Sequence, residues 1–214
     1  MKTEECIIKV LAATAFVCGL ALSAQAQVGL GWIPTTESSV AVTSNGGRII
    51  PIPTAFPGSG AIFDIPNPIG TAEWRYAPLF PTNTEQLQAD LNVDWLAGAD
   101  GSEVAVLQTG PCLIAVRKLS PPELFDTFVD AISGKTLGQC IPGVEARFNT
   151  IYTPAAGTVD VYINGVNVEE KTIAAVPVFN VVGVRAPVLL SSSASGGPAE
   201  VTWVNILFWK DGVK

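Results

Sequence analysis

From residue 85 onward the chain alternates between apolar and polar side chains. Over residues 87–95 the odd positions (Leu87, Ala89, Leu91, Val93, Trp95) are apolar and the even ones (Gln88, Asp90, Asn92, Asp94) are polar. A period of two is that of a β-strand with one buried face. Asp100-Gly101 is a turn dipeptide and predicts a hairpin between this strand and residues 103–107. Residues 112–119 read as a further strand. Residues 144–150 and 158–163 alternate again, and the second of these ends at Asn164-Gly165, a strong two-residue hairpin signal. Residues 178–184, 187–190 and 200–209 complete the set.

One segment breaks the period. Ser120-Pro121-Pro122-Glu123 has the serine and glutamate of a capping box, with proline at the first helical position. Leu124, Phe125, Phe128, Val129 and Ile132 follow at helical spacing, and Gly134 offers a stop. The spacing predicts a short helix over residues 121–132. Residues 28–81 hold half of the 16 prolines, which confines that region to short edge strands and loops, with strands expected at 39–44 and 48–52. Many antiparallel strands joined by short turns predict an all-β fold, a β-sandwich or jelly roll carrying that one helix. The expected division is a signal peptide over 1–26, a proline-rich segment with edge strands over 27–70, and the jelly-roll sandwich over 71–214. No linker separates the last two, so 27–214 reads as one domain.

The first 26 residues have the layout of an export signal. Lys2 and Lys9 flank the start of an apolar run over residues 7–22, followed by Ser23 and the small-x-small triplet Ala24-Gln25-Ala26. Cleavage near Ala26 predicts a secreted or periplasmic mature protein, outside the membrane. It also removes Cys6 and Cys18, leaving Cys112 and Cys140, and two cysteines in an exported chain predict one disulfide. The net charge of −7 argues against nucleic acid as a partner. The absence of histidine removes imidazole-based metal sites and triads. With only 14% charged residues, the surface is built largely of Ser, Thr, Asn, Gly and apolar groups. Such a surface suits uncharged glycans or further copies of the chain.

The order of the last elements carries a resemblance. An alternating strand over 147–152 leads to Gly157-Thr-Val-Asp-Val-Tyr-Ile-Asn-Gly165, and a final strand contains Val201-Thr-Trp-Val-Asn-Ile-Leu207. This resembles the C-terminal half of concanavalin A-like lectin/glucanase jelly rolls, including laminin G-like modules. Asn205 stands near where many members carry aspartate. The resemblance implies a jelly roll in which one sheet face forms a groove for sugar chains.

Three polar strand faces are the candidate site: Asp90, Asn92 and Asp94; Glu145, Arg147 and Asn149; and Thr158, Asp160 and Tyr162. The expected ligand-binding set is Asp90, Asn92, Asp94, Arg147, Tyr162 and Trp203, the tryptophan because an exposed indole stacks on sugar rings. The glucanase branch of the resemblance implies a carboxylate pair, which Asp90 and Asp94 imitate. The lyase branch implies a tyrosine acid/base with arginine or asparagine on a uronate, which Tyr162, Arg147 and Asn149 imitate. Some members hold calcium, for which Asp94, Asp100 and Glu103 are the oxygen ligands available; otherwise no cofactor is expected. The leading expectation is a non-catalytic secreted protein that binds extracellular glycan or self-associates into an extracellular assembly. The alternative is a polysaccharide-cleaving enzyme, either glycoside hydrolase or polysaccharide lyase.

Overall fold

The computed structural model describes residues 32–211, apart from 36–38, 55–57, 77–83, 97, 99, 120–125, 173–179 and 186–197. The expected signal peptide and a strand at 187–190 therefore lie outside the described residues. Among the described residues, fifteen strands follow one another in chain order: β1 (Trp32–Thr35), β2 (Ser39–Ser44), β3 (Arg48–Pro51), β4 (Ser59–Ile65), β5 (Thr71–Tyr76), β6 (Glu85–Leu96), β7 (Glu103–Thr109), β8 (Cys112–Arg117), β9 (Asp126–Asp130), β10 (Thr136–Cys140), β11 (Ala146–Thr153), β12 (Thr158–Ile163), β13 (Val166–Thr172), β14 (Asn180–Arg185) and β15 (Ala199–Asp211). They form two antiparallel sheets. Sheet A runs β13-β12-β11-β6-β15-β4-β3, with β1 also paired to β15, and sheet B runs β10-β9-β8-β7-β14-β5-β2.

The alternation sets which side of each strand faces inward. Leu87, Ala89, Leu91 and Val93 of β6 and Val159, Val161 and Ile163 of β12 are all buried in one core shared by the sheets. Phe148 lies at its centre, edge-on to Phe128 of sheet B at 5.2 Å and to Trp203 of sheet A at 5.5 Å. Two hydrogen bonds cross the core: the Trp203 indole N–H donates to Gly183 O at 3.2 Å, and the Thr109 and Thr150 hydroxyls meet at 3.4 Å. At one border Lys171 of β13 reaches the carboxylate of Asp130 on β9 at 2.8 Å. Asp130 also accepts from Ile132 N, Ser133 N and the Ser133 hydroxyl. Burial alone would push that carboxyl up, but the hydrogen bonds from Lys171, Ser133 and Ile132 outweigh it and hold it below the ordinary carboxylate range.

Several sequence expectations need correction. There is no helix among the described residues, and Asp126–Asp130, inside the expected helix, is strand β9. Its neighbours β8 and β10 supply ladders on both sides. Phe128 enters the core while Val129 turns outward onto Ala105, Leu113 and Ala115, so two-sided pairing overrides the local capping signal. The hairpin expected between β6 and β7 is also absent, since β6 belongs to sheet A and β7 pairs with β8 and β14 in sheet B. The Gly101 turn (φ 78°) is a corner that carries the chain between sheets. Its N–H donates to Lys118 O rather than across a hairpin to β6.

The disulfide does not form, and Cys112 and Cys140 are both free and buried. On β9, Cys140 stands opposite Asp126, whereas Ile114, two residues beyond Cys112, stands opposite Asp130. The two cysteines are thus at opposite ends of β9 and two strands apart. That is at least about 13 Å along the strand direction, far beyond the reach of a disulfide. Burial pushes both thiols up to about 12, so neither is a ready nucleophile. No described helix is long and apolar enough to cross a membrane.

Candidate functional site

The outward face of sheet A gathers most of the sequence candidates. Asp90, Arg147 and Val204 share one row across β6, β11 and β15, and Tyr162, Asn149, Gln88 and Leu207 form the next. Arg147 grips Asp90 with two hydrogen bonds, Nε to Oδ1 at 2.7 Å and Nη2 to Oδ2 at 3.0 Å. Those bonds raise the Arg147 guanidinium pKa further, since they favour its charged form. Asn205 Nδ2 also points at Asp90 Oδ2, at 3.4 Å. Asp94 accepts from the Thr202 hydroxyl at 2.5 Å, and Asn92 lies across from Thr202.

Two expectations fail on this face. Trp203 is completely buried, so it is a core residue and not a sugar platform. The cause is a bulge at Val204–Asn205, where Asn205 adopts φ 53° and the register between β15 and β6 slips. After the bulge Ile206 and Phe208 point inward, so Trp209, not Trp203, shares the outward face. The calcium trio does not assemble either. Glu103 lies on sheet B with Arg117 at 2.6 Å, Asp94 lies on sheet A, and no group of three candidate ligands is close enough among the described residues.

The outward face of sheet B carries a constellation the sequence reading missed. On β5, Ala72, Trp74 and Tyr76 face the core, which turns Glu73 and Arg75 outward. On β14, Val182 and Val184 face the core, which turns Val181, Gly183 and Arg185 outward. Glu73 is 2% exposed and is clamped by two arginines: Arg75 at 2.9 Å on Oε2 and Arg185 at 3.3 Å on Oε1. Arg185 also donates to the Gln108 amide oxygen on β7 at 2.7 Å. Gly183 sits directly across from Glu73 at φ 147°, where a Cβ would stand 2.3 Å from Ala72 O. Only glycine lets the two strands approach there, and the approach presses Glu73 against Arg185. Beside the cluster is a hollow of about 10 Å³ lined by Glu73, Gln108, Leu113, Val181, Gly183 and Arg185. It has room for about one water, so a sugar ring would lie across this face rather than within it. The two-residue spacings Glu73-x-Arg75 and Gly183-x-Arg185 set each pair on one side of its strand, but neither shows that the two strands are neighbours.

No protein-family model and no curated sequence matches the chain. Among solved structures, the marine PL7 alginate lyase AlyA1 from Zobellia galactanivorans superposes with a TM-score of 0.55 at 12% identity, covering 84% of this chain and 95% of that one. An alginate lyase from Corynebacterium sp. gives 0.54 at 11% identity, covering 70% and 76%. Alginate lyase AlyC3 in complex with dimannuronate gives 0.53 at 12% identity, covering 72% and 76%. The chain therefore has the concanavalin A-like jelly-roll fold that its last strands implied. The leading sequence expectation of a non-catalytic binding or assembly protein is corrected by these neighbours, which are alginate lyases.

Proposed function

We propose that the chain cleaves an acidic, uronate-bearing polysaccharide by β-elimination, and that the arginine cluster of sheet B receives the uronate carboxylate. The observation that carries this reading is Glu73 held between Arg75 and Arg185. The described part of that face bears Arg75, Arg117 and Arg185 against Glu73 and Glu103, one positive charge in excess. An internal carboxylate already marks the place where a substrate carboxylate would be bound. The likeness of the fold to alginate lyases agrees with the same substrate class.

In elimination the uronate carboxylate must be neutralised before the proton on the neighbouring ring carbon, C5, can leave. Arg75, half exposed at 48%, turns from Glu73 Oε2 to the substrate carboxylate, and Arg185 and the Gln108 amide hold it from the other side. Glu73, released from Arg75, takes the C5 proton. The C5–H electron pair forms the C4=C5 double bond, the C4–O bond breaks, and the leaving glycosidic oxygen receives the proton from Glu73. A product with an unsaturated uronate at its new non-reducing end is the expected result.

Mass analysis of digests of alginate, polygalacturonate and a neutral glucan tests this. Oligosaccharides lacking the elements of one water relative to hydrolysis products are expected from an acidic polymer. Saturated products only, or no cleavage of any acidic polymer, would refute it. A second reading places the chemistry on sheet A, where Tyr162 lies across from Asn149; it is favoured by the phenol standing beside Arg147 and Asn149, and Tyr162→Phe in the same digests separates the two.

A further inference from the structure

The two borders where the sheets end are built differently. At one, β13 of sheet A carries Glu169, Glu170 and Lys171, and β10 of sheet B breaks register between Thr136 and Gly138. Ion pairs tie that border together, Lys171 to Asp130 at 2.8 Å and Lys135 to Glu169 at 3.4 Å. Charges and bulges on an end strand keep one sheet from pairing with another. At the other border, β3 of sheet A holds Arg48 and Pro51, and proline has no N–H to offer a further strand. The end strand of sheet B there, β2, has none of these devices. Its sequence is Ser-Val-Ala-Val-Thr-Ser, and its ladder with β5 runs unbroken from Ser39–Tyr76 to Ser44–Thr71.

The apolar side of β2 points away from the core. Residues opposite each other in a ladder share a face. Ala72, Trp74 and Tyr76 face the core, so Thr43, Ala41 and Ser39 lie on the inner side, while Val40 and Val42, opposite Arg75 and Glu73, lie on the outer side. Five of the six residues of β2 are exposed, Val40 at 66%. Among the described residues no strand pairs with the far edge of β2, so alternate N–H and C=O groups along it face solvent. An uncharged strand with open ladder groups accepts another strand of the same kind.

This strand is its own complement. Antiparallel pairing about a two-fold axis perpendicular to the sheet keeps the outer side of both copies outward, so residues of the same side must meet. With the axis at Ala41, Ala41 meets the second copy's Ala41, Val40 meets its Val42, and Ser39 meets its Thr43. The charges on β5 fit this register. One row across the joined sheets reads Arg75, Val40, then the second copy's Val42 and Glu73, with unlike charges about 14 Å apart. Moving the axis to Val42 would set Glu73 against Glu73. The charge order therefore favours the axis at Ala41.

We infer that β2 is a dimerisation strand, pairing antiparallel with β2 of a second copy about a two-fold axis at Ala41. The pairing uses the open strand of both copies, so assembly stops at two. It also sets both Glu73 clusters on one continuous outer face. The dimer does not depend on the elimination chemistry, and the two fail separately. Six residues of ladder make a small interface, so a dissociation constant in the micromolar range is expected.

Sedimentation equilibrium of the full chain over a wide concentration range tests this. A monomer–dimer equilibrium is expected, weakened at least about tenfold by Ala41→Lys, which sets two like charges face to face. Because Ala41 is exposed, the melting temperature of that variant is expected to match wild type where both are monomeric. A second measurement reads the register. Ala41→Cys is expected to give a covalent dimer on mild oxidation, whereas Ser39→Cys is not, since the two copies of that residue stand about 13 Å apart along the strands. A monomer at every concentration, a dimer untouched by Ala41→Lys, or equal crosslinking of the two cysteine variants would overturn the inference.

Discussion

The two outward faces of the sandwich are built on the same pleat and differ in what the pleat displays. Sheet B turns out a compact group from three adjacent strands, with Glu73 fully sunk between Arg75 and Arg185. Sheet A turns out a long strip in which carboxylates outnumber arginines, and in its charge pairs, Asp90–Arg147 and Asp64–Arg48, each carboxylate is held by a single arginine that is 44% or 68% exposed. A buried charge held by two partners loses much when one is removed. A pair open to water on one side loses little. The same chemical groups therefore carry different weight on the two faces, and the contrast can be measured.

The largest expected effect comes from the residue that joins them. Trp203 fills the core against Phe148 and donates to Gly183 O beneath the arginine cluster. Trp203→Ala should cost about 4 kcal/mol, read by denaturant unfolding, whereas Trp209→Ala on the face should cost far less. Equal losses would mean that the bulge at Asn205 does not set which indole is core. Next, Arg185→Ala leaves Glu73 buried with one arginine and should cost about 3 kcal/mol in the same experiment.

Asp130→Asn tests the border between the sheets, where its folded carboxyl is held below the ordinary range. A depressed carboxylate stabilises the fold above the unfolded value of about 4 and ceases to do so as pH falls through its folded value. Wild type should therefore lose stability below about pH 4 more steeply than Asp130→Asn, seen in melts across acidic buffers. Identical profiles would remove the clasp with Lys171 from the account. The smallest effect is expected for Asp90→Asn, at most about 1 kcal/mol, with elimination unchanged. A loss as large as that of Arg185→Ala would erase the contrast between the faces. Thiol counting under denaturing, non-reducing conditions should find Cys112 and Cys140 unlinked.

What the sequence disclosed follows the range of the interactions. Strands β6 and β12 were legible because each carries its own alternation, and the β12–β13 hairpin because Asn164 and Gly165 adopt the positive φ values (51° and 81°) of that turn. The expected helix at 121–132 failed because Phe128 and Val129 answer to partners on β8 and β10, which no local window contains. The face assignment of Trp203 failed on a single inserted residue, since one bulge inverts every side chain beyond it. The Asp90–Arg147 pairing was within reach, as both residues were on polar strand faces. The arginine cluster was not, because Glu73, Gln108 and Arg185 come together only through the order β5-β14-β7, and that order is a property of the whole sheet.

The arginine-clamped Glu73 on sheet B is the group proposed to move the proton. The most direct measurement is the ultraviolet absorbance of unsaturated uronate, followed on an acidic polysaccharide with wild type, Glu73→Gln and Tyr162→Phe side by side. Absorbance growth is expected with wild type and Tyr162→Phe, and a loss of at least about a hundredfold with Glu73→Gln. Growth retained by Glu73→Gln and abolished by Tyr162→Phe would contradict it.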